Sequence, residues 1–245
     1  MQILIKPIQV CASYKPKLGQ GIKKGLEFSE FQSLYQSDSF YSWFGLDSPL
    51  MYAAHKAAGG MTSIYRQIGI GSESLFRAIL QDELSLTEDE VKWSYSVDSV
   101  NEKKRKLSLD GRITLDSVSN NKKKDRIHKW LLDTSQNLDI DPSVSKNLNG
   151  VVFEVRQGYK SKDSKRQNAD ITNAAIAYTK GYLPCIVVMS NQIDMDIVNR
   201  YRQNKWAILT GLASKSSPLH STYEFIHKIV GYDLKSFFQR NSATL

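Results

Sequence analysis

Residues 150–170 read GVVFEVRQGYKSKDSKRQNAD, an apolar stretch that changes abruptly into a dense run of charge. Val151, Val152, Phe153 and Val155 make both faces of the predicted strand apolar. This pattern is typical of a strand in the interior of a sheet. Glu154 and Arg156 have the same parity in this strand and therefore point to the same face. An ionised carboxylate in such a strand is costly unless it meets a cation or a metal. The stretch therefore predicts a buried strand whose last residues need a charged partner.

The chain after this strand alternates between helical and strand patterns. NADITNAAIAYTKG (168–181) has apolar residues at helical spacing and ends at Gly181, and LPCIVVMS (183–190) is a continuous apolar run typical of a buried strand. The later segments continue the alternation, with a helix at 194–205, a strand at 206–211 and a helix at 221–240 that opens with the capping box Ser221 and Glu224. This order favours a sheet whose parallel part is covered by helices on both faces.

The segments before residue 150 predict a helix followed by antiparallel strands. SESLFRAILQDEL (72–84) has a helical apolar face with Ser72 as its N-cap, and VKWSYSV (91–97) alternates as a half-buried strand does. LSLDGRITLDSV (107–118) is either one long strand or a hairpin that turns at Asp110-Gly111, and a basic helix follows at 121–134. The predicted class is α/β (α+β), with a central mixed β-sheet flanked by helices.

The domain organisation is predicted to be one domain over residues 1–245. Residues 1–62 form a mostly helical N-terminal extension, and residues 63–245 form the core. GGMTSIYRQIGIG (59–71) has spaced glycines but no GK[ST], so we interpret it as a bend between helices rather than a phosphate loop. Arg66 in this segment is a candidate contact for DNA.

The composition narrows the classes of partner. The chain has 245 residues and a formal net charge of +8, which favours a polyanionic partner, although a generic basic surface is the alternative. Its two cysteines, Cys11 and Cys185, form no CxxC motif, which disfavours a structural zinc site and suits a reduced cytosolic setting. Neither a signal peptide nor a membrane-spanning run is visible in the sequence.

Carboxylates near the predicted strand ends are candidate metal ligands. Glu154 is the first, and Asp110 and Asp116 lie at the ends of the neighbouring strand or hairpin. If either aspartate lies beside Glu154, two carboxylates converge on one hard cation, which is how Mg²⁺ is normally held. Such a metal polarises a phosphodiester and lowers the pKa of a bound water. The alternative is a structural ion pair between Glu154 and Arg156, with the aspartates as turn residues.

Cations follow the same strand and could hold phosphates or stabilise charge in a transition state. They are Arg156, Lys160, Lys162, Lys165 and Arg166. The four histidines are scattered without HxxxH spacing, which disfavours a histidine-based nuclease.

The arrangement of an aspartate and Glu-x-basic on adjacent strands, followed by a helix and another strand, resembles the PD-(D/E)xK nuclease superfamily. The resemblance covers residues 73–206 and places Glu73 on the first core helix and Gln167 near the site. Size and charge are most similar to type II restriction endonucleases. The resemblance implies a Mg²⁺-dependent homodimer that cuts double-stranded DNA at a short sequence, in the cytoplasm of a prokaryote. It also implies that Glu154 with Asp116 or Asp110 binds the metal.

The sequence departs from the superfamily pattern in two places: the acidic partner of Glu154 is ambiguous between Asp116 and Asp110, and one catalytic position differs. The usual lysine is Arg156 here, and an arginine cannot act as a base at neutral pH, which leaves it to position phosphate or water. Two alternatives therefore stay open: a non-catalytic nucleic-acid-binding protein of the same fold, and a repair or RNA-directed nuclease.

Overall fold

The structure, a computed structural model, describes residues 1–17, 25–97, 105–159, 164–213 and 217–243, without the side chains of residues 40, 97, 105, 106 and 164–166. The chain divides into two compact units, the N-terminal unit Met1–Gly71 and the C-terminal unit Ser72–Leu245. Across these described ranges, no helix combines the length and apolar character that a bilayer crossing requires.

The described part of the N-terminal unit is helical, as its sequence predicts. Its elements are α1 (Gln2–Gln9), a 3₁₀ helix (Val10–Ser13), α2 (Phe28–Gln36), α3 (Ser39–Trp43) and residues 49–71 of α4 (Pro49–Leu84). The predicted bend over residues 59–71 is wrong, because these residues are helical, and so is the predicted helix start at Ser72. Two glycines explain the difference: a Cβ at Gly59 would overlap the Tyr14 ring, and one at Gly71 would lie 3.2 Å from Leu4 Cδ2. They serve close packing within the N-terminal unit rather than a turn.

The C-terminal unit contains a four-stranded mixed sheet and a separate two-stranded antiparallel sheet. The two-stranded sheet pairs β1 (Trp93–Val97) with β2 (Arg105–Leu109). The mixed sheet has the order β3-β4-β5-β6, with β3 antiparallel to β4 and the other pairs parallel. Its strands are β3 (Gly111–Thr114), β4 (Gly150–Arg156), β5 (Tyr182–Val188) and β6 (Ala207–Leu209). The predicted α+β class with a mixed sheet is confirmed at this level.

The chain changes sheets at Asp110, between β2 and β3. The hairpin alternative at Asp110-Gly111 is wrong, because β2 pairs with β1 whereas β3 pairs with β4. Gly111 permits close packing here, since a Cβ would lie 3.2 Å from the Phe76 ring. Asp110 therefore stands at the junction of the two sheets.

Helices cover both faces of the mixed sheet, as the apolar character of β4 predicts. The remaining helices of this unit are α5 (Glu88–Val91), α6 (Asn121–Asn137), α7 (Pro142–Ser145), α8 (Ser164–Thr179), α9 (Met195–Gln203), α10 (Thr222–Phe225) and α11 (Leu234–Asn241). On one face Val152 and Ile186 pack with Ala174 of α8 and Tyr201 of α9. On the other, the Phe153 ring lies 4.9 Å from that of Phe76 in α4 and 5.7 Å from that of Phe225 in α10.

The predicted C-terminal helix over residues 221–240 is confirmed only in part. Ser221 caps α10 by accepting a hydrogen bond from the Glu224 amide, as the capping box predicts. The helix continues as a π-helical segment, Ile226–Val230, and is then interrupted at Gly231, whose φ is 114°. A left-handed residue ends the helix, and α11 begins three residues later.

Candidate active site

The Asp110 carboxyl is held against the end of β4 by two backbone contacts. The register pairs Gly111 with Phe153, so Asp110 lies beside Glu154. The Asp110 amide donates to the Phe153 carbonyl at 2.8 Å, and the Val155 amide donates to Asp110 Oδ2, also at 2.8 Å. Of the two aspartates considered from sequence, the structure therefore brings Asp110 to Glu154.

Glu154 forms the ion pair with Arg156 that their shared parity allows. Arg156 Nη2 lies 2.6 Å from Glu154 Oε1, and each residue is only 9% exposed. The contact engages one of the two Glu154 oxygens. The ion-pair alternative stated from sequence is thus present in the structure, together with a neighbouring aspartate that this alternative does not require.

A second carboxylate, which the sequence reading missed, shares the same guanidinium. Asp170 of α8 accepts from Arg156 Nη2 at 3.3 Å on Oδ2 and 3.4 Å on Oδ1. The hydroxyl of Tyr201 donates to Asp170 Oδ2 at 2.5 Å, and that of Tyr159 donates at 3.3 Å. In the sequence, Asp170 is only one residue of the helical pattern at 168–181. Its separation from Arg156 along the chain left no sequence signal for the contact.

The site carries more carboxyl groups than guanidinium groups. We define the acidic cluster as Glu73, Asp110, Glu154 and Asp170, whose carboxyls influence one another electrostatically. Two guanidiniums balance it, Arg156 and Arg77, and Arg77 also donates to the Asp110 carbonyl at 3.0 Å. Among the side chains that the structure describes, four acids against two arginines leave an excess of two negative charges when all are ionised.

Burial, with a smaller contribution from neighbouring carboxylates, raises the pKa values of Glu73, Asp110 and Glu154. Burial, followed by the nearby Asp110 carboxyl, raises the pKa of Glu154 to about 8, and Arg156 opposes the shift. Burial also raises the pKa of Asp110, against the Val155 hydrogen bond and Arg156. Burial and the Asp110 charge raise the pKa of Glu73. Raised pKa values of this kind mark a place where an added cation would be stabilising.

Asp116 does not belong to the acidic cluster. It lies beyond the other end of β3, where Thr114 pairs with Gly150, roughly 13 Å along β4 from Glu154. Its side chain is 92% exposed and accepts from Lys124 Nζ at 2.8 Å, and that hydrogen bond lowers its pKa. The sequence-based assignment of Asp116 as a partner of Glu154 is therefore corrected to Asp110.

The predicted cationic segment after β4 is described only in part. Lys160 and Lys162 lie outside the described residues, and the backbone of Lys165 and Arg166 lies in the first turn of α8 rather than in a loop. Gln167 is buried, and its Oε1 accepts from Arg200 at 2.7 Å. Its amide therefore serves packing between α8 and α9 and does not face solvent.

Arg66 lies in the N-terminal unit, on α4. It lines a pocket of about 700 Å³ together with Lys15, Lys17, Ser63 and Gln67. Lys15 is also paired with Glu27. Cations, hydroxyls and an amide around one cavity form a surface suited to phosphate oxygens.

The donors at the site suit a hard cation. Within the described part of the chain, no three carboxyl, imidazole or thiol groups are close enough to hold a metal by themselves. Mg²⁺ often takes only one or two protein carboxylates and completes its coordination with water and substrate phosphate. Asp110 and Glu154 match that donor set, since each bond described above engages one of their two oxygens.

Comparisons with known proteins return no relatives. No protein-family model matches the chain, and no curated protein or solved structure shows significant similarity to it.

Proposed function

We propose that this chain is a Mg²⁺-dependent endonuclease that hydrolyses phosphodiester bonds in double-stranded DNA at a specific sequence, in the manner of type II restriction enzymes. The excess of carboxyl over guanidinium groups around Glu154, among the described side chains, carries the proposal. Carboxylates that crowd together at buried and half-buried positions are unfavourable unless they take up protons or a cation binds.

The topology around the site supports the same proposal. β3 and β4 run antiparallel, and β4, α8 and β5 then form a parallel crossover. The acidic residues lie where the antiparallel and parallel parts of the sheet meet. This is the arrangement implied by the resemblance to the PD-(D/E)xK superfamily, with Asp110 and Glu154-x-Arg156 in its motif positions.

Each residue has a distinct role in the proposed reaction. Asp110 and Glu154 would hold Mg²⁺, which, when bound, supplies a Lewis acid for the phosphate and activates water near neutral pH. Arg156 would donate to a phosphate oxygen, because a guanidinium stays charged throughout and cannot remove a proton. The Val155 amide fixes the direction of the Asp110 carboxyl.

DNA binding and dimerisation are parts of the proposal with separate tests. The net charge of +8 and the basic pocket of the N-terminal unit suit a DNA backbone. The resemblance implies a homodimer, which places two cutting sites on one duplex. Size-exclusion chromatography with light scattering distinguishes a dimer of twice 27.8 kDa from a monomer.

A plasmid digest tests the activity directly. Several plasmids are incubated with the full chain in Mg²⁺ or in EDTA, beside a Glu154→Gln variant. Discrete bands with Mg²⁺, none with EDTA and none with the variant are the expected results. A smear would indicate cleavage without sequence specificity, and equal cleavage by the variant would refute the assignment of Glu154.

One observation favours a second function, a nucleic-acid-binding protein without catalysis. Arg156 already neutralises Glu154 at 2.6 Å, as a guanidinium with a purely structural role would. Such a protein shifts the mobility of DNA and leaves it intact at every Mg²⁺ concentration. Cleavage assays with single-stranded DNA and with RNA, run beside those with duplex DNA, test for a repair or RNA-directed nuclease. Cleavage of one of these substrates in preference to duplex DNA would identify it.

A further inference from the structure

Arg156 is shared between two carboxylates that differ in their surroundings. Its Nη2 atom lies 2.6 Å from Glu154 Oε1 and 3.3 Å from Asp170 Oδ2. Glu154 belongs to the proposed metal site, whereas Asp170 lies on α8 and takes no part in that site's donor set. Arg156 Nη2 therefore links Glu154, the candidate metal ligand, to Asp170.

Asp170 is fixed by donors from separate parts of the fold. Tyr201 on α9 donates to its Oδ2 at 2.5 Å, and Tyr159, beyond the end of β4, donates to the same oxygen at 3.3 Å. The two phenol oxygens lie 2.8 Å apart. All three side chains are buried, so their hydrogen bonds hold the Asp170 carboxylate in one position.

The guanidinium also has unused donor capacity. Arg156 Nε is buried and has no hydrogen-bond partner among the described residues. The Arg156 guanidinium lies over the Tyr159 ring, 5.6 Å from its centroid, which adds a further contact on the Asp170 side. If Glu154 moves away from the guanidinium, Arg156 keeps its contacts with the Asp170 carboxylate and the Tyr159 ring.

We propose that Asp170 is a positioning residue. It keeps the Arg156 guanidinium paired and in place when the Glu154 carboxylate leaves the guanidinium to bind a divalent cation. The inference rests on the proposed function. A buried charge that loses its only partner is strongly destabilised, which would oppose metal binding at Glu154. Asp170 removes that obstacle, because Arg156 remains paired after the exchange. Without Asp170, Arg156 would hold Glu154 more firmly and compete with the metal.

Calorimetric titration of the full chain with Mn²⁺ in the absence of DNA tests this role without relying on cleavage. We expect Asp170→Asn to weaken Mn²⁺ binding by about tenfold or more, in the range seen when groups that support metal ligands are removed. Tyr201→Phe should weaken it less. Tyr178→Phe is the matched control: it removes a half-buried hydroxyl of α8 that donates to the Lys205 carbonyl at 2.6 Å, about 12 Å along the helix from Asp170, and should leave Mn²⁺ affinity unchanged.

A double-mutant cycle separates positioning from a direct effect of the Asp170 charge. In an Arg156→Gln background, Asp170→Asn should no longer weaken Mn²⁺ binding, because the competing guanidinium is gone. If Asp170→Asn still weakens Mn²⁺ binding in the Arg156→Gln background, or if Asp170→Asn alone binds Mn²⁺ with wild-type affinity, this inference is overturned and the proposed function is not affected. If circular dichroism shows that Asp170→Asn is unfolded, the Tyr201→Phe variant provides the test. Unchanged Mn²⁺ affinity in Tyr201→Phe then overturns the inference. Failure of both wild type and Arg156→Gln to bind Mn²⁺ instead refutes the metal site of the proposed function, and this inference with it.

Discussion

Strand β3 has an aspartate beyond each end, and the two carboxyl groups lie in opposite environments, one among other acids and one exposed to solvent. Asp110 is held by the Val155 amide among other acids, and burial raises its pKa. Asp116 is 92% exposed, and Lys124 lowers its pKa. In the sequence, both residues end or begin a short apolar strand and look equivalent. What differs is the neighbouring strand: Asp110 lies beside the last residues of β4, and Asp116 lies beyond its first residue.

The comparison shows that burial of an acid, rather than its place in a motif, distinguishes a candidate ligand from a surface residue. In the described part of the chain, other acids converge on the Asp110 end, from β4, α4 and α8, whereas Asp116 contacts Lys124. Each of the following experiments tests whether this end of β3 differs in function from the other.

The largest effect is expected from removing a carboxylate at the Asp110 end. Glu154→Gln and Asp110→Asn should each lower the cleavage rate by about 10²–10³ or more, as loss of a group that stabilises transition-state charge does. Binding of the DNA duplex, measured by gel mobility in Ca²⁺, should remain. Retention of cleavage in either variant would contradict the assignment of that residue.

A smaller loss is expected for Arg156→Lys. Lysine keeps the charge, but it lacks the Nε donor and the planar guanidinium that lies over the Tyr159 ring. We expect cleavage to fall by roughly 10–10² with little change in DNA affinity. Full activity in this variant would show that a positive charge at this position is sufficient without the planar guanidinium.

The pH dependence of stability should also differ between the two ends. In the folded protein the pKa of Glu154 rises from its ordinary 4.5 to about 8. Between these values the folded state binds more protons than the unfolded state, so the free energy of unfolding falls as pH rises. Denaturant titrations in EDTA should show this fall from about pH 4.5 to about pH 8. Glu154→Gln should flatten the profile, and an unchanged slope would argue against the raised pKa.

The smallest effect is expected at the exposed end of the strand. Asp116→Asn removes one surface ion pair, so cleavage should stay within about twofold of wild type and stability should hardly change. The same assays used for Asp110→Asn measure it. A loss comparable to that of Asp110→Asn would restore Asp116 as a candidate ligand and remove the contrast between the two ends.

Sequence patterns predicted the elements of the C-terminal unit better than the contacts between them. The apolar run of β4, the helix that Gly181 ends and the basic helix α6 are all as predicted. These features are local, because periodicity and end residues suffice to define them. The choice between Asp110 and Asp116 needed the register of β3 on β4, which periodicity does not give.

The other differences between prediction and structure arise from glycines that lie within a helix, from strands that pair in different sheets and from contacts between segments distant in sequence. Glycines at 59 and 71 were interpreted as bend residues, but both lie in α4 and allow close contact with Tyr14 and Leu4. Asp110-Gly111 has the composition of a hairpin turn, but its strands pair with different partners. Asp170 was missed because its contacts with Arg156 and Tyr201 join segments that are distant in sequence.

The change of sheets at Asp110 has a consequence for how this chain can vary. Successive strand residues face opposite sides, so inserting one residue between Gly111 and Thr114 would turn either Asp110 or Ile113 to the wrong face. The first outcome removes a carboxyl from the proposed site, and the second exposes a fully buried side chain. Length changes in this four-residue strand are therefore expected to be far less acceptable than length changes in surface turns.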